Sequence, residues 1–268
     1  MTFSIDIELA SGHRAWLRQF NPRYGENWEK LLATAPEAAS CEAAVRRVLE
    51  QNGNTVQPNE TLDGSRKAPD FCCTQAGKEF FVEVTCISIE KATEHTGLPH
   101  PPHQSGFTFS GFQSLTGSIF HDSIRKTPQC SNLPHPAVLA VGTFHWHASY
   151  MCFERKHLEL LLTGETLLTQ NIAPATGTPV GDGYLSTQLR LATFLKPRPN
   201  GWMIHARSPV SAVLACGLGC DLPRIRCALH PKPIHPFDPS LLPNVECCRL
   251  LPGYEDGRLC TEWSEVRT

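Results

Sequence analysis

The sequence predicts an α/β (α+β) fold organised around one mixed β-sheet, and three observations point there. Of 268 residues, 41% are hydrophobic and 19% charged, the balance of a globular chain rather than a disordered one. Apolar residues recur at helical spacing early on, with Cys41, Val45, Val48 and Leu49 on one face. Short apolar runs of strand length then alternate with helical segments, as in Phe80–Ile87, Pro136–Gly142 and Pro209–Cys216.

Residues 13–35 read as one or two short helices with Trp16, Leu17, Phe20, Trp28, Leu31 and Leu32 as apolar positions. The next helix has clearer ends. Thr34-Ala-Pro-Glu37 is a capping-box pattern with Pro36 in the first turn, and Asn52-Gly53 supplies the stop. A strand is expected around Thr55–Gln57, then two more around an Ala76-Gly77 turn. Residues 90–111, rich in His, Pro, Gly and Ser, read as a loop, and Phe112–Thr127 as a helix. Pro136–Gly142 reads as a strand and Glu154–Leu162 as a helix; the pattern from 164 to 208 is weak, with many Pro and Gly residues. Strands return at Pro209–Cys216 and Ile225–Leu229. The expected organisation is one domain over 1–268: a helical extension at 1–35, a core at 36–145, and a C-terminal part, 146–268, adding a helix and strands to the same sheet.

Lys and Arg number 24 against 26 Asp and Glu, giving a formal charge of -2 and a pI near 6.6. That excludes a histone-like polycation and leaves room for a local basic groove. No run approaches the roughly 18 apolar residues of a spanning helix, so no membrane partner is expected. The N-terminus, Met1-Thr-Phe-Ser-Ile-Asp-Ile-Glu8, carries acids where an export signal carries Lys or Arg. The expectation is a cytoplasmic protein whose 12 cysteines are reduced, with Cys86 and Cys216 serving as small hydrophobes.

The stretch from Ala68 to Ile87 concentrates the chemistry. A turn centred between Ala76 and Gly77 sets Asp70 opposite Glu83. Alternation then places Asp70, Glu83 and Thr85 on one face, and Phe71, Val82 and Val84 on the other. Taken singly, each acid also reads as an ordinary exposed strand residue. Together they repel unless a cation intervenes, and hard divalent ions such as Mg²⁺ take carboxylate oxygens. The run around Glu83 is also too apolar for an exposed strand.

A helix bearing an acid, a strand, Pro-Asp, then a hydrophobic strand ending in Glu-x-x resembles the PD-(D/E)XK nuclease superfamily, the restriction-endonuclease-like fold, over roughly residues 37–142. The resemblance implies a central mixed sheet flanked by helices, and hydrolysis of phosphodiester bonds with Mg²⁺, or Mn²⁺, in DNA rather than RNA. It makes Asp70 the motif Asp and Glu83 the second acid. Where the family carries Lys two residues later, this chain has Thr85. Divergent members supply that Lys from the following helix, which points to Lys126, with Gln129 one turn later as a polar companion; Lys78 sits at the hairpin tip, far from the acids. The acid of the first helix is assigned to Glu42, bordering the apolar face, whereas Glu50 lines up with Arg46 as a solvent-side ion pair. The implied metal ligands are therefore Asp70, Glu83 and Glu42; the implied catalytic residues are Asp70, Glu83, Thr85, Lys126 and Gln129. Arg46, Arg47, Arg66, Lys67 and Arg125 are candidates for contacts with the nucleic-acid backbone. The alternative is the same fold without catalysis, binding nucleic acid or protein. A homodimer or a partner protein is compatible with either reading.

Rival patterns are weaker. His145-Trp-His147 presents two imidazoles on one face but lacks a third ligand. Cys216-x3-Cys220-x6-Cys227-x2-His230 has loose zinc spacing without paired CxxC knuckles. The neighbours Cys72-Cys73 and Cys247-Cys248 point to opposite faces if extended. His95, His100 and His103 lie in the proline-rich stretch. No Gly-x-Ser-x-Gly elbow or Walker loop occurs, and Gly217-Leu-Gly219 is too short for a dinucleotide motif.

Overall fold

A computed structural model describes residues 3–59, 61, 68–98, 100, 117–119, 121–122, 125–152, 154–173, 176–188, 192–197, 203–220, 223–254 and 259–264. Three helices open the chain: α1 (Ile7–Phe20), α2 (Pro22–Thr34) and α3 (Pro36–Gln51). Asn21 divides the first two, ending α1 and accepting the Arg23 N–H at the start of α2. Helix α1 begins earlier than its apolar pattern suggests, because the Asp6 side chain caps it by accepting the Leu9 N–H. Leu17 and Trp28 pack on Ala39 and Ala43, which seat the helical extension on α3.

Helix α3 begins at Pro36 as expected, but the capping box does not form. Ala35 is the N-cap without a side-chain bond, and the Glu37 carboxylate instead accepts the Ile89 N–H at 2.7 Å. A tertiary acceptor role outcompetes the local one, since a helix N-terminus elsewhere in the chain needs the same oxygen.

The main sheet among the described residues has eight strands in the order β1-β2-β3-β4-β9-β10-β11-β12. These are β1 (Thr55–Pro58), β2 (Phe71–Gln75), β3 (Lys78–Cys86), β4 (Ala137–Thr143), β9 (Ala212–Gly217), β10 (Arg224–Leu229), β11 (Glu246–Leu250) and β12 (Thr261–Trp263). Strands β3, β4 and β9 run parallel and β10 pairs parallel with β11, while the other pairings are antiparallel, so the sheet is mixed. The fold is of the α/β class. Strands from the C-terminal part lie in the same sheet as β1 to β4.

The β2–β3 register is the one the turn predicts: Phe71 faces Val82 and Gln75 faces Lys78. Ala76 (φ 49) and Gly77 (φ 74) both take the left-handed conformation of a type I′ turn, whose twist matches that of the strands. The stretch expected as a loop from residue 90 opens instead with helix α4 (Ile89–Thr96), capped by Ser88 and Gly97. Of the helix expected over 112–127, residues 117–119, 121–122 and 125–126 are helical, Thr127 lies in a turn, and the others lie outside the described residues. Helix α5 (Arg155–Thr163) lies within one residue of its predicted span. The weakly patterned 164–208 region holds two hairpins, β5 (Glu165–Ile172) with β6 (Pro179–Gln188), and β7 (Leu195–Pro197) with β8 (Met203–His205). The pattern also missed β11 and β12.

Both faces of the sheet are buried. On one, Cys41, Val45 and Leu49 of α3 pack on Val82, Val84, Val138, Ala140 and Leu214. On the other, Ile119, Cys130 and α5 residues Leu158, Leu161 and Leu162 cover Leu139, Val141, Val213 and Ala215. The described cysteines are all free thiols. No helix among the described residues is long and apolar enough to cross a membrane.

Candidate active site

Glu83 pairs in register with Leu139 and Thr85 with Val141. Leu139 and Val141 belong to the face opposite α3, so alternation sends Glu83 and Thr85 to that face too. The parallel connection between β3 and β4 brings Ile119 and Cys130 over this face. Glu83 is 1% exposed, which makes an ionised carboxylate costly unless a cation stands beside it. Lys126 provides one, its Nζ donating to Glu83 Oε1 at 2.5 Å.

The neighbouring Arg125 serves the other end of the triplet. Its guanidinium donates to Thr85 Oγ1 at 3.1 Å and to Asp122 Oδ1 at 3.0 Å. The buried Asp122 thus holds an exposed arginine against the Thr85 hydroxyl. Gln129 lies in the following turn, where its N–H closes on the Lys126 carbonyl at 3.0 Å.

Asp70 departs from its expected place. Strand β2 begins at Phe71, so Asp70 is not paired across from Glu83 but sits just before the ladder. Its Oδ2 accepts the Val84 N–H at 2.5 Å, taking a donor that lies past the last paired residue of β2. The two acids are still neighbours in charge. The buried Cys130 thiol is pushed up to about 12, first by burial, then by Glu83, with Lys126 opposing and Asp70 adding.

Glu42 lies on the α3 side and shares a small cavity of about 20 Å³ with Asp70, His13, Tyr24 and Trp28. The expected trio is therefore split by the sheet: Glu42 over one face, Glu83 on the other, and Asp70 at the margin between them. Among the described residues no group of three or more His, Cys, Asp or Glu side chains is placed to hold a metal ion. The donor chemistry of Glu42 and Asp70 suits a hard divalent cation, and their cavity is about the size of one water molecule. Glu83 has its charge balanced by Lys126.

His13 of α1 is the part of this cavity that the sequence did not point to. Its Nδ1 accepts from Arg46 Nε at 3.0 Å, and burial first, then Arg46, lower its pKa to about 3. The signal was present but bland, an i−3 neighbour of Trp16 on an apolar helix face. Arg46 pairs with Glu50 at 2.7 Å as expected, yet on the inside: it is 9% exposed and lies over the Trp16 ring. It is thereby withdrawn from any contact with nucleic acid. Arg47 is exposed on α3, next to Phe144 and Leu218 rather than the acids. Arg66 and Lys67 lie outside the described residues. Lys78 remains at the hairpin tip, bonded to Asp238 at 2.5 Å.

Among the described residues the rival clusters do not assemble into metal sites. His100 lies against His145, with ring centroids 5.2 Å apart, but His145 uses Nε2 on the Leu98 carbonyl and Nδ1 on the Ala148 N–H. His230 is likewise engaged, by the Ala206 carbonyl and the Lys232 N–H. His95 bonds Ser118 at 2.5 Å and ties α4 to the helical residues 117–119. His103 lies outside the described residues. No family model matches the chain, and no curated protein or solved structure matches it.

Proposed function

We propose that this chain is a metal-dependent nuclease that hydrolyses phosphodiester bonds, in DNA rather than RNA. The observation that carries the reading is the pair of contacts on one strand face, Lys126 to Glu83 and Arg125 to Thr85. They supply, from the helical segment after the motif strand, the positive charge that the family draws from the strand itself.

A divalent cation, when bound, polarises the phosphate and makes its water more acidic; Asp70, at the margin of the face that carries Lys126 and Arg125, would hold it. The remaining chemistry belongs to the chain. Arg125, anchored by Asp122, presents a planar donor fork suited to phosphate oxygens. Lys126 stands ready to balance charge that builds on the phosphate. Glu83 keeps that ammonium in place.

A second reading follows from the same ion pair. A 1% exposed Glu83 neutralised by Lys126 is also how a fold retires an acid from catalysis while keeping its structure. The chain is then a module that binds nucleic acid or protein.

The test is cleavage of plasmid and linear DNA with Mg²⁺, Mn²⁺ or EDTA, beside Asp70→Asn and Lys126→Met variants. Metal-dependent cleavage lost in both variants supports the nuclease. DNA binding without cleavage under any metal supports the second reading, and neither cleavage nor binding removes DNA as the substrate.

A further inference from the structure

Cys227 and Cys247 occupy directly paired positions on the parallel strands β10 and β11. Both belong to the core face on which α3 packs, so their side chains project from the same side of the sheet. Neighbouring strands lie about 4.7–4.9 Å apart, within the Cα separation of about 4.4–6.8 Å that a disulfide spans. In the structure the Cys247 thiol donates to the Val245 carbonyl at 3.6 Å. Cys248, next in sequence, points to the opposite core and takes no part.

The two sulfurs differ in their surroundings. Both are buried, Cys227 at 0% and Cys247 at 2% exposure. Cys247 borders a cavity of about 290 Å³, walled also by Leu229, Pro239, Arg249, Glu262 and Ser264. Arg249 and Glu262 form an exposed ion pair on the outer side of that cavity, so it reaches the surface. The Ser264 hydroxyl donates or accepts beside Cys247, and it accepts the Cys247 N–H at 2.8 Å.

We propose that Cys227 and Cys247 are an oxidisable dithiol that closes into an intrachain disulfide on reaction with hydrogen peroxide. Cys247 is the attacking thiol. Its sulfur forms a bond to one peroxide oxygen as the O–O bond breaks, and the departing hydroxide takes the thiol proton to give water. The Cys227 sulfur then attacks the sulfenic sulfur of Cys247. An S–S bond forms, the S–O bond breaks, and hydroxide leaves with the Cys227 proton as a second water. Two electrons pass from the dithiol to the peroxide. The order is supported by the proximity of Cys227, which holds the Cys247 thiol below its ordinary range, while Cys227 is pushed well above it by its neighbour and by burial.

The experiment treats the full chain with hydrogen peroxide, alkylates remaining thiols and maps the non-reduced digest by mass spectrometry. The expected result is a linked Cys227–Cys247 peptide that dithiothreitol dissolves, with a loss of two alkylatable thiols. Oxidation confined to other cysteines, such as the exposed Cys260, with both thiols still alkylatable, overturns the proposal. A Cys227→Ser variant, near-isosteric at the buried position, is then treated with peroxide and dimedone. An adduct on Cys247 supports it as the attacking thiol; an adduct found only elsewhere overturns that assignment.

Discussion

Lys126 Nζ stands 2.5 Å from Oε1 of Glu83, a carboxylate only 1% exposed on the third strand of the main sheet. Forty-three positions separate the two residues in sequence. The pair ties the crossover segment to the sheet beside the candidate site.

Lys126→Met removes the ammonium and leaves a buried charge, at a cost of about 3–5 kcal/mol. Urea unfolding measures it. Adding Glu83→Gln to the same chain removes the charge as well and recovers most of the loss. A double variant as unstable as Lys126→Met alone contradicts the ion pair.

Asp70 should have a structural effect separable from any catalytic one. Its carboxylate accepts the Val84 N–H, and Asp70→Ala gives up a charge-assisted bond worth about 1.5–3 kcal/mol. Asp70→Asn keeps an acceptor and costs less. Hydrogen exchange at the Val84 amide should quicken in the alanine variant; unchanged protection would show that another acceptor takes over.

Gly142 is held glycine by packing rather than by its backbone. A Cβ there would lie 2.3 Å from Cys41 Sγ and 3.2 Å from Leu218. Gly142→Ala is expected to destabilise by about 1–3 kcal/mol through overpacking. Cys41→Ala in the same chain opens the space and should suppress much of that loss, which thermal unfolding of the three variants would reveal.

Acid should weaken the fold through its buried histidines. His13 is lowered to about 3, and His145 and His230 to about 4, in each case chiefly by burial. The unfolded chain takes up protons near pH 6.5, while the folded chain resists them until those lower values. Stability is therefore fully present above about pH 6.5 and falls as pH drops toward 4, by at most about 1.4 kcal/mol per pH unit for each histidine. His13→Gln should flatten that dependence; an unaltered slope would place the proton uptake elsewhere.

Much of the site was legible before folding was considered. The Ala76-Gly77 turn set the β2–β3 register because a two-residue hairpin leaves the strands little freedom to slip. That register, with strand alternation, assigned Glu83 and Thr85 to one face. Glu50 pairing with Arg46 followed from helical spacing, although only packing turned the pair inward beneath Trp16.

Other features were not legible because their partners are distant in sequence. Glu37 abandons its local cap for Ile89, and helix α4 hides in a composition that reads as loop, although Ser88 and Gly97 mark its ends. The short β11 and β12 gain their strand character from neighbours in the sheet, and with them comes the pairing of Cys227 and Cys247.

By itself the sequence determined the α/β class, the hairpin, the faces of its side chains and the residue types available for chemistry. These depend on local spacing, which the chain carries wherever it goes. Only the tertiary structure decided that Lys126 neutralises Glu83, that Arg125 meets Thr85, and that the sheet stands between Glu42 and Glu83. Those outcomes depend on which face a crossover covers, and burial of apolar surface across the whole molecule settles that.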